Sequence, residues 1–164
     1  MDNLQKIKAY ATSLSLVHTK KELEHMLHEA ESKEISYTEF LCRVLGNEIR
    51  YRQDKAKERR IKEAGFPYPK YLKDFDLNFC QSITRKQLNQ LSELNWIDGI
   101  YNLILSGPPG VGKTHLAIAL GYQACENGYR VSYTTMQSLM QVLRTSEIDR
   151  RSKAKMNRIQ KSNM

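Results

Sequence analysis

Between Leu103 and Leu120 an apolar run, a glycine-rich turn and a helix-forming stretch follow one another without a break. Leu103-Ile104-Leu105 reads as a strand. Gly107-Pro108-Pro109-Gly110-Val111-Gly112-Lys113-Thr114 fits G-x-x-x-x-G-K-[ST], a loop whose backbone N–H groups close on one anion. Each fixed position has a physical reason: Gly107, Gly110 and Gly112 let the main chain wrap tightly, and a side chain there would hold a phosphate away. A helix from Lys113 to about Asn127, stopped by Gly128, then follows, and its amino-terminal dipole points at the same place. This constrains the chain to an α/β arrangement with a phosphate-binding loop. Arg130 to Thr135, rich in β-branched and aromatic residues, supplies a second short parallel strand after Gly128.

The residues ahead of the loop read differently. Asp2 stands before a helix with Leu4, Ile7, Ala11 and Leu14 at three- and four-residue spacing. Thr19 with Glu22, and Ser36 with Glu39, have capping-box spacing and predict two more helix starts. The third helix carries Tyr37, Phe40, Leu41, Val44, Leu45 and Ile49 as one stripe and continues to about Ala64, where Gly65-Phe66-Pro67-Tyr68-Pro69 stops it. The expected organisation is a helical domain over residues 1–65, a linker over 66–83 and the amino-terminal portion of a nucleotide domain over 84–164. Within that portion Thr84 caps a helix to about Leu94, Gln137 to about Leu143 forms another, and Arg150 to Gln160 is a basic helix or tail. Only about two parallel strands of the sheet fall before Met164, so the chain reads as the amino-terminal part of a longer protein or as a truncated reading frame.

Charge is concentrated. The net charge is +8, and nine cations against three anions lie between Arg50 and Lys73, with seven against two between Arg144 and Lys161. In the first block Arg50, Arg52, Lys55, Lys57, Arg59, Arg60 and Lys62 are candidates for sequence-independent contact with DNA phosphates; the competing reading is a solvated helix face. The basic tail from Arg150 reads as a connecting segment rather than a binding arm. Cys42, Cys80 and Cys125 stand far apart without a CxxC pair, which excludes a zinc or disulfide framework and suits the reducing cytoplasm. No apolar run approaches the roughly 18 residues of a membrane span. His25 and His28, at i, i+3 spacing with His18 nearby, read as surface histidines rather than metal ligands.

The chemistry of the loop places Lys113 on the β- and γ-phosphates of a nucleotide and the Thr114 hydroxyl on Mg²⁺. Hydrolysis needs an acidic pair at the end of a buried strand. After the loop, Glu126, Glu147 and Asp149 are the acidic residues, and none follows a run of four or more apolar residues. Trp96 and Phe75 are the candidates to pack the linker and border a base.

With Gly107-Pro-Pro-Gly-Val-Gly-Lys-Thr-His-Leu-Ala-Ile-Ala-Leu-Gly, then Gly128-Tyr-Arg-Val-Ser-Tyr-Thr-Thr, the chain resembles IstB-type transposition helper ATPases of bacterial insertion sequences. These are AAA+ P-loop proteins related to DnaC-type helicase loaders. The resemblance also takes in the basic helix, Asp74-Phe75-Asp76 and His115 directly after the Walker A threonine. It implies ATP with Mg²⁺ as cofactors, Gly107 to His115 as the nucleotide site, and an oligomer that assembles on DNA and serves the transposase of the same element. It further implies that the Walker B strand, arginine finger and sensor residues lie beyond Met164. Two other functions fit the same residues: a DnaC-like helicase loader, and a non-hydrolysing DNA-binding fragment.

Overall fold

The computed structural model describes residues 2–77 and 83–164; residues 78–82 of the expected linker, Cys80 among them, lie outside the described residues. The described chain is helical: α1 (Asn3–Ser13), α2 (Val17–Ser32), α3 (Tyr37–Ala64), α4 (Arg85–Ser92), α5 (Asn95–Asp98), α6 (Lys113–Glu126), α7 (Met136–Thr145) and α8 (Arg150–Gln160). Two compact units, Met1–Ala56 and Lys57–Met164, divide it. Among the described residues no helix is long and apolar enough to cross a membrane.

In the first unit α1 and α2 pack against each other, with Ala11, Leu23 and Met26 as the buried apolar residues. The polar centre is Glu48 of α3, only 3% exposed. Its carboxylate accepts the Thr19 backbone N–H at 2.9 Å, the Thr19 hydroxyl at 3.1 Å and the Arg52 Nε–H at 3.2 Å. Thr19 therefore does not open α2 as its spacing with Glu22 predicts. The helix begins at Val17 behind Leu16, and Thr19 lies in its first turn, where a backbone N–H has no partner within the helix. A carboxylate from α3 takes that place and meets the positive end of α2. Arg52 also donates to the Ser15 carbonyl at 2.8 Å, tying the α1–α2 corner to α3.

The α3 stripe also departs from expectation. Phe40 and Val44 are half-buried, whereas Tyr37, Leu41, Leu45 and Ile49 face solvent. Ser36 does cap α3, accepting the Glu39 N–H at 3.2 Å, while the Glu39 carboxylate turns instead to Arg43.

The second unit is built on α6. Ile118, Leu120, Ala124 and Cys125 are fully buried, as befits a helix covered on more than one side. One flank holds Ala64, Leu94, Ile97 and Val131 with Phe66 and Trp96; the other holds Phe75, Leu88, Leu116 and Leu120 with Ile83 and Leu105. Phe66 stacks on Tyr122 at 4.6 Å, and its ring lies where a Cβ on Gly121 would come within 2.8 Å. The end of α3 closes the far end of α6: the Arg60 Nε–H donates to the Cys125 carbonyl at 2.8 Å, and Lys57 pairs with Glu126 at 2.6 Å. Both cations sit at a helix carboxyl terminus, where the dipole favours them. Burial raises the Cys125 thiol to about 11, so this cysteine acts as a small apolar residue.

Among the described residues there is no β-strand, so the α/β expectation meets a difference at both of its strands. A strand requires a ladder, and residues 102–111 make no backbone pairing with another described segment. Ile104 is 85% exposed. Residues 130–133 are held by the last two residues and by α3 instead: the Asn163 N–H donates to the Arg130 carbonyl at 2.7 Å, the Ser132 N–H to Met164 and the Tyr133 N–H to Ala64, both at 2.8 Å. α8 is a folded helix, capped by Asp149 and fastened by Lys155 to the Ser138 hydroxyl and by Arg158 to the Glu63 carbonyl.

The Glu48 cluster generates a pH prediction. Burial pushes its carboxyl upward, but the hydrogen bonds from Thr19 and Arg52 and the Arg52 charge outweigh this and leave it below the ordinary value. A lowered folded value gives stability that is present above the unfolded value near pH 4.3 and is lost as pH falls through the folded one. Glu48→Gln is expected to cost about 1–3 kcal/mol at neutral pH and to flatten the acid limb of the thermal melt. Circular dichroism melts from pH 7 to pH 3 check this, and equal acid sensitivity in both proteins would refute it.

Candidate nucleotide site

The loop before α6 has the backbone that its glycines permit. Gly107, Gly110 and Gly112 stand at φ +150°, +85° and +87°, and Gly112 is the amino-terminal cap of α6. A residue with a Cβ is strained at such angles. Space differs among them: a Cβ on Gly110 would meet nothing within 4 Å, whereas one on Gly112 would come to 3.3 Å from the Phe75 ring. The loop is therefore open on its Gly110 side and backed by an aromatic ring at its junction with the helix.

Lys113 and Thr114 are the first two residues of α6. The Lys113 ammonium folds back onto the Pro108 carbonyl within its own loop, and Thr114 is exposed. His115 meets Phe75 edge-on, ring centroids 5.4 Å apart at 90°, and its Nε2 is buried with no hydrogen-bond partner. Beside the loop lies a cleft of about 380 Å³, within the range of small-molecule sites. Ser106, Gly107 and Val111 to Lys113 form its polar wall; Phe75, Ile83, Leu91, Leu105 and Leu116 form the apolar one, with Gln87 and Gln90 of α4 at the side.

This separates the two aromatic candidates. Phe75 lines the cleft, while Trp96 packs in the opposite cluster and donates its Nε1–H to the Leu91 carbonyl at 3.0 Å. Sequence reasoning missed the contribution of α4. The Thr84–Gln87 capping box marks where that helix starts, but nothing in the spacing says that its glutamines face the loop.

The donor set suits a polyphosphate with a magnesium ion. Backbone curvature opens toward Gly110, a 14-residue helix begins at the loop, one ammonium lies on the loop itself, and one hydroxyl stands exposed beside it. Among the described residues no three or more of His, Cys, Asp and Glu gather to hold a metal ion. Mg²⁺ fits here through the Thr114 hydroxyl, phosphate oxygens and water, the mode it commonly uses.

The basic block on α3 is largely occupied within the molecule. Arg52 serves Glu48, Lys57 serves Glu126, Arg60 serves the Cys125 carbonyl, and Arg59 pairs with Glu63 at 2.8 Å. Lys55 lies over the Tyr51 ring at 5.9 Å. Arg50 and Lys62 are exposed. On α8, Arg150, Arg151 and Lys153 are exposed as well, as is Lys161 at its carboxyl-terminal cap, with no acidic residue between Arg150 and Lys161.

The model of the IstB-like ATP binding protein family matches residues 9–164. A protein of Pseudomonas aeruginosa named for ATP binding in insertion sequence IS21 is 37% identical over 148 residues, covering 90% of this chain and 56% of the relative. A Bacteroides fragilis relative, named for an IS21-like element, is 34% identical over 94% of this chain and 59% of its own length. One from Geobacillus stearothermophilus, named for IS5376, is 34% identical over 87% and 57%. The chain thus spans between half and two thirds of the length of these relatives. It belongs to the IstB-like ATP binding protein family.

The loop geometry predicts a graded response to alanine. Gly110→Ala should cost about 1 kcal/mol, from backbone strain alone. Gly112→Ala should cost more, because its methyl also presses on Phe75. A double-mutant cycle of Gly112→Ala with Phe75→Ala, read by thermal melts, should show the pair costing less than the sum of its singles. Additive losses would refute the contact.

Proposed function

We propose that this member of the IstB-like ATP binding protein family binds ATP with Mg²⁺ at Gly107 to His115 and assists DNA transposition. The carrying observation is the set of positive-φ glycines at the start of α6, beside a cleft of 380 Å³. The backbone N–H groups of the loop, reinforced by the α6 dipole, bind the phosphates. Lys113 exchanges the Pro108 carbonyl for phosphate oxygens, and Thr114 offers its hydroxyl to the metal. When bound, Mg²⁺ neutralises phosphate charge. Phe75 gives the base an apolar surface, and the buried Nε2 of His115 gains from any hydrogen-bond partner that nucleotide binding brings near. Binding, rather than turnover, is the activity assigned to these residues.

The wider reading draws on the relatives' names for ATP binding and insertion sequences. On it, the protein works in the cytoplasm with DNA and the transposase of its element. The exposed cations of α8, with Lys62 on the same unit, are the groups offered to DNA phosphates, without reading base sequence. Leu103–Leu105 and Arg130–Thr135 would join the parallel sheet of an α/β core when partner strands adjoin them.

Titration with a fluorescent ATP analogue tests the site. Lys113→Ala should weaken binding by about a hundredfold or more, near 2.7 kcal/mol. Thr114→Ala should remove the dependence on Mg²⁺. Unchanged affinity in Lys113→Ala would overturn the assignment. For DNA, Lys153→Ala should lower the steepness of the salt dependence by about one counterion. An unchanged salt slope would remove α8 from the contact surface.

A further inference from the structure

At the side of the cleft beside the glycine loop, α4 supplies two side-chain amides, Gln87 and Gln90, at i, i+3 on one face that Leu91 completes. The other lining side chains able to hydrogen-bond are Ser106 and Lys113, and both belong to the loop or the helix it opens. The remaining lining side chains are apolar. Beyond the phosphate end of a bound nucleotide, polar side chains are therefore met only at α4.

The two amides differ in freedom. Gln87 is clamped by the capping box that starts α4: its Oε1 accepts the Thr84 backbone N–H at 2.9 Å and the Thr84 hydroxyl at 3.0 Å, while the Gln87 backbone N–H donates to the Thr84 Oγ at 3.2 Å. A backbone N–H only donates, so the amide oxygen is fixed at Thr84 and the nitrogen is the end left for a ligand. Gln87 thus presents donors alone. Gln90 is exposed and has no such clamp among the described residues, so its amide turns either end toward a ligand. An amide free to turn over serves donors and acceptors alike; a fixed one chooses between them.

A purine held at the loop by its phosphates extends past it with the edge opposite its ribose, which carries N1 and the substituent at C6. At C6 adenine has an amino group and guanine an oxygen, and Gln90 can serve either. At N1 adenine accepts a hydrogen bond, whereas guanine and hypoxanthine donate one. We propose that Gln87 is the specificity-determining residue of the nucleotide site, its fixed Nε2 amide hydrogens donating to N1 of adenine and opposing the N1–H of guanine or hypoxanthine. Resting on the nucleotide reading of Gly107 to His115, this selection is made by an atom of α4 rather than by the loop. The rejected base loses twice, because its N1–H and the Gln87 amide face each other without an acceptor between them. Phe75 offers apolar surface to any purine and so adds to affinity, not to the choice.

Displacement of a ribose-labelled fluorescent ATP from the whole 164-residue chain tests the selection. ATP should compete roughly tenfold or more better than ITP, whose base is hypoxanthine, and than 1-deaza-ATP, which keeps the amino group and lacks the N1 acceptor. Gln87→Glu keeps an oxygen for Thr84, since the capping box takes either residue, and turns an acceptor toward the base. In that variant ITP should gain on ATP by roughly tenfold or more. The ratio of the two affinities is the readout, because lost packing or lost helix lowers both alike. Gln90→Ala should lower both alike. If Gln87→Glu is unfolded by far-ultraviolet circular dichroism, the 1-deaza-ATP comparison on the parent chain decides. Equal binding of ATP, ITP and 1-deaza-ATP by the parent, or an unchanged ratio of ATP to ITP in folded Gln87→Glu, would overturn the role of Gln87 and leave the nucleotide site standing. No displaceable binding at all would remove the site and the selection together.

Discussion

The second unit depends on the burial of α6. This helix has solvent at its first turn and apolar neighbours along most of its length, so its two ends meet opposite requirements. At the amino terminus the N–H groups need an anion or water, and the glycine loop leaves them accessible. At the carboxyl terminus the carbonyl of Cys125 accepts the Gly128 N–H at 3.3 Å and, at the shorter 2.8 Å, the Arg60 Nε–H from α3. The middle of the helix is fixed by the linker, whose Phe66 and Phe75 rings rest on opposite stretches of it. A glycine loop of this kind is only as well placed as the helix it opens. Here that helix is held at its body and its far end.

The same physics runs in reverse in the first unit. There a carboxylate, Glu48, goes to the helix end, and it is tolerated in the interior because three donors surround it. A unit with so few buried apolar residues relies heavily on this one polar cluster, and removing any member would leave a buried group without a partner.

Much of this was legible in the residues. The tight loop before α6 shows in its glycine spacing because each glycine answers a local backbone demand, and the ends of α3 and α6 follow from Gly65 and Gly128 beside them. What could not be read was whatever depends on distant partners. Thr19 has the right neighbour for a capping box, yet its partner is 29 residues away. The α3 cations look like an open basic face, yet Lys57 and Arg60 close the end of α6. Leu41, Leu45 and Ile49 look like core, because periodicity reports that a face is apolar and not what covers it. The two strands were drawn from β-propensity, which takes effect only where a ladder partner exists.

The Phe66–Gly121 contact has a consequence for how such a sequence can drift. The ring occupies the volume that any larger residue at 121 would fill, so the two positions constrain each other across 54 intervening places in the chain. Growth at 121 requires that the aromatic at 66 shift or shrink. Shrinking the ring first leaves a cavity against α6. The linker and the helix are therefore tied to each other in the choice of residue as well as in packing.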